Sequence, residues 1–313
     1  MNPLPQPAVT DCKPDLDPLR WLPYRNGMPA SKPRGDSLAL ALRAQALAYA
    51  AEIEVQLRRA GRGHHTGVHR TRKALARLRA LLSLLHAVSV SATRLERRIR
   101  TLARGLSRLR DAQAAHSMAR RLARAKRLVY AQKAWCATID AIQAERDRLL
   151  EVARRADPGL ARRRSRFAAL RAAIESYDWR AVRIANIDAA LHRSIHRVRR
   201  ARKAARATSV QGPRHRLRRR LRRLLLQIDL LHAVADDAGH AHAANQARKL
   251  IAQWLRHRRR LKRLVDGLGD ERDLYLLRRT FLHLPRAEAI DHALSTIDEH
   301  LPRAIAASNR LID

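Results

Sequence analysis

The chain has 313 residues, and its 66 lysines and arginines against 28 acidic residues give a formal net charge of +38. Of these cations, 58 are arginines, whose planar guanidinium groups bind phosphate oxygens in pairs and stay charged at any physiological pH. So large an excess of one sign repels itself in the folded state, and a polyanionic partner would relieve that repulsion. No apolar run approaches the roughly 20 residues that span a bilayer, so the composition argues against a membrane-spanning protein.

The cysteines and the first residues bear on the compartment. Cys12 and Cys136 form neither a metal-binding spacing nor a disulfide framework, which fits a reducing environment. The first residues lack the charged start and the apolar stretch of a signal peptide. We therefore expect a soluble, cytoplasmic protein with no membrane partner.

Residues 1–37 differ in composition from the rest of the chain. They contain eight of the twelve prolines, together with Asp11, Asp15 and Asp17. A segment of this composition has too few apolar residues to form a packed core, so we predict an extended or loosely ordered tail. Folding of this tail back across the basic body is an alternative that the sequence leaves open.

From Ser37 onward, apolar residues recur three and four positions apart, proline is nearly absent, and no segment reads as a β-strand. The pattern predicts an all-α protein with helices near residues 37–60, 67–88, 91–107, 109–128, 131–156, 160–177, 181–207, 213–236, 239–266, 270–284 and 286–311. The predicted breaks include Gly61-Arg62-Gly63, Asp157-Pro158-Gly159, Gln211-Gly212-Pro213 and Gly267-Leu268-Gly269. Short connections of this kind join antiparallel neighbours, as in helical bundles.

Two of these helices share a pattern of one histidine followed by regularly spaced cations. Residues 67–85 read GVHRTRKALARLRALLSLL, and residues 212–231 read GPRHRLRRRLRRLLLQIDLL. At a constant offset, the histidines coincide and the following positions match: His69 with His215, Arg72 with Arg218, Lys73 with Arg219, Arg77 with Arg223, and Leu78 with Leu224. A later motif, Leu-x-x-x-Arg-Asp, also occurs twice and ends at Asp111 and Asp273. Two matched motifs in the same order indicate an internal duplication.

On both histidine helices the cations and the apolar residues lie on opposite faces, because each residue turns the helix by about 100°. The apolar face is formed by Leu75, Leu78, Leu82 and Leu85 in the first copy and by Leu217, Leu221, Leu224, Ile228 and Leu231 in the second. This face must pack in the core, so the histidine face points to solvent or to a groove.

Neither basic face carries the acidic residues that would neutralise an ordinary solvated helix. Residues 62–95 and 189–228 contain no aspartate or glutamate. Like charges three and four positions apart destabilise a helix by about 0.2–0.5 kcal/mol per pair. We therefore interpret the two faces as an anion site, in which arginines hold phosphate groups and the histidines couple binding to pH.

The second repeated motif places Arg110-Asp111 and Arg272-Asp273 at predicted junctions between helices. Aspartate near the start of a helix accepts backbone N–H groups and complements the helix dipole. We predict that both aspartates cap helices and hold neighbouring arginines in orientation. Arg110 and Arg272 are then expected to reach the groove.

At these residues the chain resembles the CHAD family, named for a conserved histidine α-helical domain. The family patterns VHxxRxxxxRLR and LGxxRD correspond to Val68-His69, Arg72, Arg77-Leu78-Arg79, Leu106 and Arg110-Asp111. In the second half the family patterns are xHxxRxxxKRLR and LGDxxD, which correspond to His215, Arg218, Arg222-Arg223-Leu224 and Leu268-Gly269-Asp270-Glu271-Arg272-Asp273. The resemblance covers roughly residues 37–312. Ser107 replaces the first LG glycine, and Leu225 stands where the second copy often has arginine, so the second half is expected to bind less tightly or to rely on Arg219 and Arg220.

The resemblance implies two antiparallel four-helix bundles, residues 38–178 and 179–313, related by an internal pseudo-twofold duplication. It also implies that inorganic polyphosphate binds in a basic groove or pore between them, which makes polyphosphate, its granules and polyphosphate-metabolising enzymes the expected partners. The residues expected to bind polyphosphate are His69, Arg72, Lys73, Arg77, Arg79, Arg97, Arg100, Arg110, His215, Arg218, Arg219, Arg222, Arg223, Arg259, Lys262 and Arg272.

Two other functions stay open. Nucleic-acid binding fits the charge, but the basic helices lack the aromatic side chains that stack bases, so it ranks second. An enzyme or an accessory module of one is the third reading, since CHAD modules are often joined to triphosphate tunnel domains with a Glu-x-Glu-x-Lys strand. The nearest match, Glu52-Ile-Glu54-Val-Gln56, lacks the lysine and lies in helical sequence.

We predict no catalysis and no cofactor. Metal-dependent phosphoryl chemistry needs clustered carboxylates to hold Mg²⁺, and none lie near the basic faces in sequence. His192 and His196 have the i,i+4 spacing of a zinc-binding pair, but cations surround them. The sequence therefore favours binding without turnover and without a metal.

Overall fold

The computed structural model describes residues 37–124, 132–208, 210–237, 240–285 and 287–312. Within these ranges the chain is all-helical and contains no strand, as the periodicity predicts. The helices are α1 (Ser37–Gly61), α2 (His65–Leu84), α3 (Val90–Gly105), α4 (Ser107–Ala123), α5 (Gln132–Ala156), α6 (Ala161–Glu175), α7 (Ile184–Arg206), α8 (Gln211–Ala235), α9 (Ala241–Phe281) and α10 (Glu288–Ile312). Apart from Ser37, the predicted proline-rich tail lies outside the described residues.

One predicted break between helices is wrong. Helix α9 runs for 41 residues without interruption through Gly267-Leu268-Gly269, where two separate helices were expected. Glycine inside a helix costs only about 1 kcal/mol relative to alanine, and packing easily compensates for that. Here Leu268 is buried in the core, and Gly269 lies against the side chain of Arg218 in α8.

The buried apolar residues form two hydrophobic cores. The larger core contains residues of α1, α2, α3, α6, α7 and α8 and the first part of α9. The smaller core contains residues of α4, α5, the last part of α9 and α10. Both cores therefore contain residues from before and after residue 178. The division of the chain into two bundles at that residue stays a prediction.

The predicted apolar faces of the two histidine helices are both buried in the larger core. Their members are Leu75, Leu78 and Leu82 on α2, Leu85 in the turn after it, and Leu217, Leu221, Leu224, Ile228 and Leu231 on α8. Helix α2 also packs against α8 and α4, and α9 packs against α8 and α4. With their leucines committed to the core, α2 and α8 present their cations toward the region where α2, α4, α8 and α9 meet.

A buried ion pair that the sequence did not reveal joins α8 to α9. The guanidinium of Arg214 donates to both carboxylate oxygens of Glu271, at 2.7 and 2.6 Å, and to Oδ1 of Asn309 at 2.6 Å. Arg214 is 2% exposed and Glu271 3%. Arg214 falls beside Leu217 and Leu221 on the apolar face of α8, so a cation on that face was the signal of a buried carboxylate partner.

None of the helices in the described ranges combines the length and the apolar character that crossing a bilayer requires.

Replacing Arg214 with methionine should strongly destabilise the fold, because Glu271 would stay buried without its partner. Breaking one side of a buried pair costs about 3–5 kcal/mol. The measurement is the free energy of unfolding from urea titration of Arg214→Met. The double variant Arg214→Met/Glu271→Leu should recover most of the loss, and a single variant within about 1 kcal/mol of wild type would show that the pair is not structural.

Candidate anion-binding site

Four helices bring charged side chains together in what we call the central cluster. Its members are His69 and Arg72 of α2, Arg110 and Asp111 of α4, His215, Arg218 and Arg222 of α8, and Arg272 and Asp273 of α9. Arg110 interacts electrostatically with both histidines and with Arg72, Arg218 and Arg222. The two histidine helices therefore present their cations to one shared region, as the sequence predicts.

Two arginine–aspartate pairs hold the middle of the central cluster. Arg110 donates to its neighbour Asp111 at 2.9 Å, and Arg272 donates to its neighbour Asp273 at 2.8 Å. Arg272 also donates across to Asp111 at 2.9 Å, and Arg110 lies 3.8 Å from Asp273. Although burial alone would raise the pKa of Asp111, hydrogen bonds from both arginines lower it.

The predicted helix-capping role of the two aspartates is wrong. Helix α4 begins at Ser107, its N-cap Leu106 makes no side-chain cap, and Asp111 lies beyond the first turn. Asp273 lies inside α9, because that helix is continuous there. Their other predicted role, which is to orient arginines, agrees with the observed hydrogen bonds.

Arg72 and Arg218, which match in the two sequence repeats, contact matching positions of the second motif. Arg72 donates from one Nη to the Ser107 hydroxyl at 2.8 Å and to the Ala103 carbonyl. The counterpart of Ser107 is Gly269, where an added Cβ would lie 3.3 Å from Nη2 of Arg218. The serine that departs from the family pattern therefore supplies an acceptor, whereas the glycine supplies space.

Several arginines of the central cluster are half-buried without full compensation of their charge. The Nε of Arg218 is buried and has no hydrogen-bond partner in the described ranges, and Arg222 forms no ion pair with a described carboxylate. Burial and then repulsion from neighbouring arginines lower the pKa of Arg72 and of Arg218 to about 10. The same causes lower the pKa of Arg222. Five guanidinium groups thus face two carboxylates, which leaves the cluster strongly positive.

Both histidines lie at the edge of the central cluster and outside the apolar core. His69 is exposed and His215 is half-buried. Burial, followed by repulsion from Arg219 and Arg272, lowers the pKa of His215 to about 4. Burial and repulsion from Lys73 and Arg110 lower the pKa of His69. Both imidazoles are therefore neutral near pH 7 and each offers one N–H donor.

Two separate recesses open at the central cluster and share no lining residue. The first has a volume of about 250 Å³, and His69, Arg110 and Asp273 line part of it. The second has a volume of about 460 Å³, and His215, Arg272 and Asp111 line part of it. Each recess thus combines a histidine and an arginine of one repeat with the aspartate of the other.

Nine of the sixteen residues predicted to bind polyphosphate lie outside the central cluster, and five of these are on α2, α3 and α8. Arg77 donates to Glu52 at 3.1 Å and lies over the ring of Tyr49, so its guanidinium contacts two residues of α1. Arg79 and Arg223 both contact Glu96 of α3, at 2.6 and 3.4 Å. Of the α3 pair, Arg97 is exposed and Arg100 lies near Glu96.

Arg259 and Lys262 are the α9 residues expected to match that α3 pair. On the continuous helix α9 they precede Arg272 by 13 and 10 residues, which is about 20 and 15 Å along the axis. Lys262 pairs instead with Asp266 at 2.6 Å, and Arg259 is exposed. Lys73 and Arg219 are both exposed and lie beside the two histidines.

The carboxylates of the central cluster are engaged by arginines. In the described part of the chain, no group of three histidine, cysteine, aspartate or glutamate side chains comes together as metal ligands would. His192, from the predicted i,i+4 pair, lies 3.6 Å from Asp188. The side chains that converge are thus mainly hydrogen-bond donors with positive charge, which suits an anion.

The chain also shows sequence similarity to a known protein family. The CHAD domain family matches residues 40–254, more than half of the chain, and the matched region contains both histidine helices and α4. No curated protein and no solved structure matches the chain. Because of the family match, this all-helical chain belongs to the CHAD domain family.

Proposed function

We propose that this protein binds inorganic polyphosphate at the central cluster and does not convert it chemically. The observation that carries the proposal is that Arg218 and Arg222 are half-buried among other arginines without a full set of acceptors. A buried cation without a partner destabilises a fold unless a ligand supplies the missing charge. Phosphate oxygens do so well, because guanidinium groups bind them in pairs.

The geometry favours a thin anion with densely spaced charge. The cations come from four helices that pack against one another, and both histidines stand where a recess opens. Tyr275 is the aromatic residue among those that line the two recesses. Proteins that bind single-stranded nucleic acids stack successive bases on several aromatic side chains, and a single tyrosine cannot provide such a surface. Polyphosphate has no bases and needs no stacking surface.

The chemistry of the two carboxylates supports binding without turnover. Asp111 receives hydrogen bonds from two arginines, and Asp273 receives one from Arg272 and lies near Arg110. Carboxylates that serve as Mg²⁺ ligands must offer free oxygens, and cations on every side disfavour a bound metal. We extend the proposal to association with polyphosphate granules or with enzymes of polyphosphate metabolism.

We also propose that the two sequence repeats are related by a pseudo-twofold axis, with two bundles that flank the central cluster. The crossed Arg110–Asp111 and Arg272–Asp273 pairs support this arrangement, since each half contributes the same two groups. The two recesses support it as well, because each is lined by a histidine and an arginine from one repeat and by the aspartate from the other.

Replacing Arg72 and Arg218 together with alanine should weaken the binding of long-chain polyphosphate by about 100-fold or more. Each hydrogen bond to a charged group contributes about 1.5–3 kcal/mol, and the variant removes several of them. The measurement is titration calorimetry at fixed salt, because binding to a polyanion depends steeply on ionic strength.

The matched control for that experiment is Arg259→Ala/Lys262→Ala, which removes the same charge from α9 outside the central cluster. We expect the control to change the affinity by only a few-fold, since salt screens exposed charges. Equal losses in the two double variants would contradict the site, because the protein would then bind by total charge alone.

Polyphosphate affinity should rise as the pH falls from 7.5 to 5.5. The pKa of His215 is about 4 in the free protein, and nearby phosphates would raise it, so binding takes up protons. Calorimetry in two buffers of different ionisation enthalpy measures this uptake, and His69→Gln/His215→Gln should reduce it. The folding stability of the unliganded protein changes in the opposite direction. Because the pKa of His215 is depressed in the folded state, stability should decrease as the pH falls from about 6.5 towards 4. An affinity independent of pH would exclude a role for the histidines.

Replacing Arg222 with methionine should raise the melting temperature of the unliganded protein while it weakens polyphosphate binding. The side chain is half-buried and repelled by Arg110 and Arg272, so an apolar side chain of similar length removes an unfavourable charge. Each kcal/mol gained corresponds to about 2–4 °C for a chain of this size. A fall in the melting temperature, as expected for Arg214→Met on the same helix, would show that Arg222 is structural.

A further inference from the structure

A second group of cations, which we call the α7–α8 cluster, lies outside the central cluster. It consists of Arg193 and Arg197 of α7, Arg220 and Arg223 of α8, and Arg79 and His86, which lie on α2 and in the turn after it. Arg223 interacts electrostatically with Arg79, Arg197 and Arg220. His86 interacts with Arg193, Arg197 and Arg223. Helices α7 and α8 pack against each other, which brings these groups together.

Glu96 is the carboxylate that pairs with cations of this cluster among the described residues, and it pairs with Arg79 and Arg223. Glu96 of α3 is 5% exposed, accepts two hydrogen bonds from Arg79 at 2.6 and 2.8 Å, and lies 3.4 Å from Arg223. Arg79 and Arg223 donate to the same oxygen of Glu96, Oε1, and the two bonds from Arg79 are the shorter ones. Arg193, Arg197 and Arg220 form no ion pair with a carboxylate among the described residues.

The polar groups of His86 and Arg223 in the α7–α8 cluster are only partly compensated. The Nε2 of His86 is buried and has no hydrogen-bond partner within the described residues. Burial lowers the pKa of Arg223 to about 10, with Glu96 opposing and Arg79 adding to the fall. An ordinary solvated helix face would place acidic residues among such cations, but residues 189–228 contain none. The arrangement is thus that of an anion site.

The α7–α8 cluster is continuous with the central cluster along α8. Arg219 interacts electrostatically with His215 of the central cluster and with Arg220 of the α7–α8 cluster. His215 and Arg223 are eight residues apart, which is about 12 Å along the helix. A flexible anion that fills the first cluster can therefore reach the second.

We propose that the α7–α8 cluster is a second phosphate-binding site, which long polyphosphate chains occupy together with the central cluster. This inference rests on the function proposed above. Short chains fill the central cluster alone, whereas long chains gain affinity from the second site at a high effective concentration. Arg193 and Arg197 of α7 then determine the preference for chain length, although neither belongs to the sequence repeat.

The test compares long-chain polyphosphate with tripolyphosphate on the variant Arg193→Gln/Arg197→Gln. Affinity for the long chain should fall about tenfold or more, since contacts to charged groups are lost. Affinity for tripolyphosphate should stay within about threefold, and the circular dichroism spectrum and melting curve should match wild type. If the double variant does not fold, Arg197→Gln alone is measured against the same criterion, with a fall of at least about threefold expected.

The control is Arg303→Gln/Arg310→Gln, which removes the same charge from exposed positions of α10. Unchanged long-chain affinity in the α7 variant would overturn the inference, and so would equal losses for the two ligands or in the control. If Arg72→Ala/Arg218→Ala weakens both ligands while the α7 variant weakens neither, only this inference fails. If wild type binds neither ligand, the proposed function itself fails.

Discussion

The constraint on which the rest of this structure depends is that α2 and α8 must bury their leucine faces. With Leu78 and Leu224 fixed in the core, Arg72 on α2 lies against α4 and Arg218 on α8 lies against α9. Several arginines therefore lie close together, and the two aspartates of α4 and α9 neutralise only part of their charge. The lowered pKa values of Arg72 and Arg218 follow directly from this packing.

The contacts of the arginines distinguish those that stabilise the fold from those that are available to bind a ligand, whereas the degree of burial alone does not. Arg214 and Arg202 are both buried, but Arg214 bonds Glu271 and Arg202 bonds the Ile312 carbonyl, so both stabilise the fold. Arg218 is also largely withdrawn from water, yet its Nε has no partner in the described ranges. A protein that tolerates such a group gives up stability at that point, which natural proteins commonly do at sites of function.

The sequence predicts those features that depend on local periodicity. The helices and the buried leucine faces follow from the 3.6-residue period. Ion pairs between residues distant in sequence cannot be predicted in this way. Arg77 and Arg223 match in the repeat, but Arg77 donates to Glu52 of α1, whereas Arg223 contacts Glu96 of α3. Those acidic partners lie outside the repeated motifs, so no spacing within the motifs could reveal them.

The most direct measurement is a crystal structure of the protein with a short polyphosphate bound. The account predicts phosphate oxygens within about 3.2 Å of the guanidinium nitrogens of Arg218 and Arg222, with an imidazole N–H of His69 or His215 donating to the same chain. Phosphate density confined to exposed arginines of α3 or α10, with the arginines of the central cluster unliganded, would contradict it.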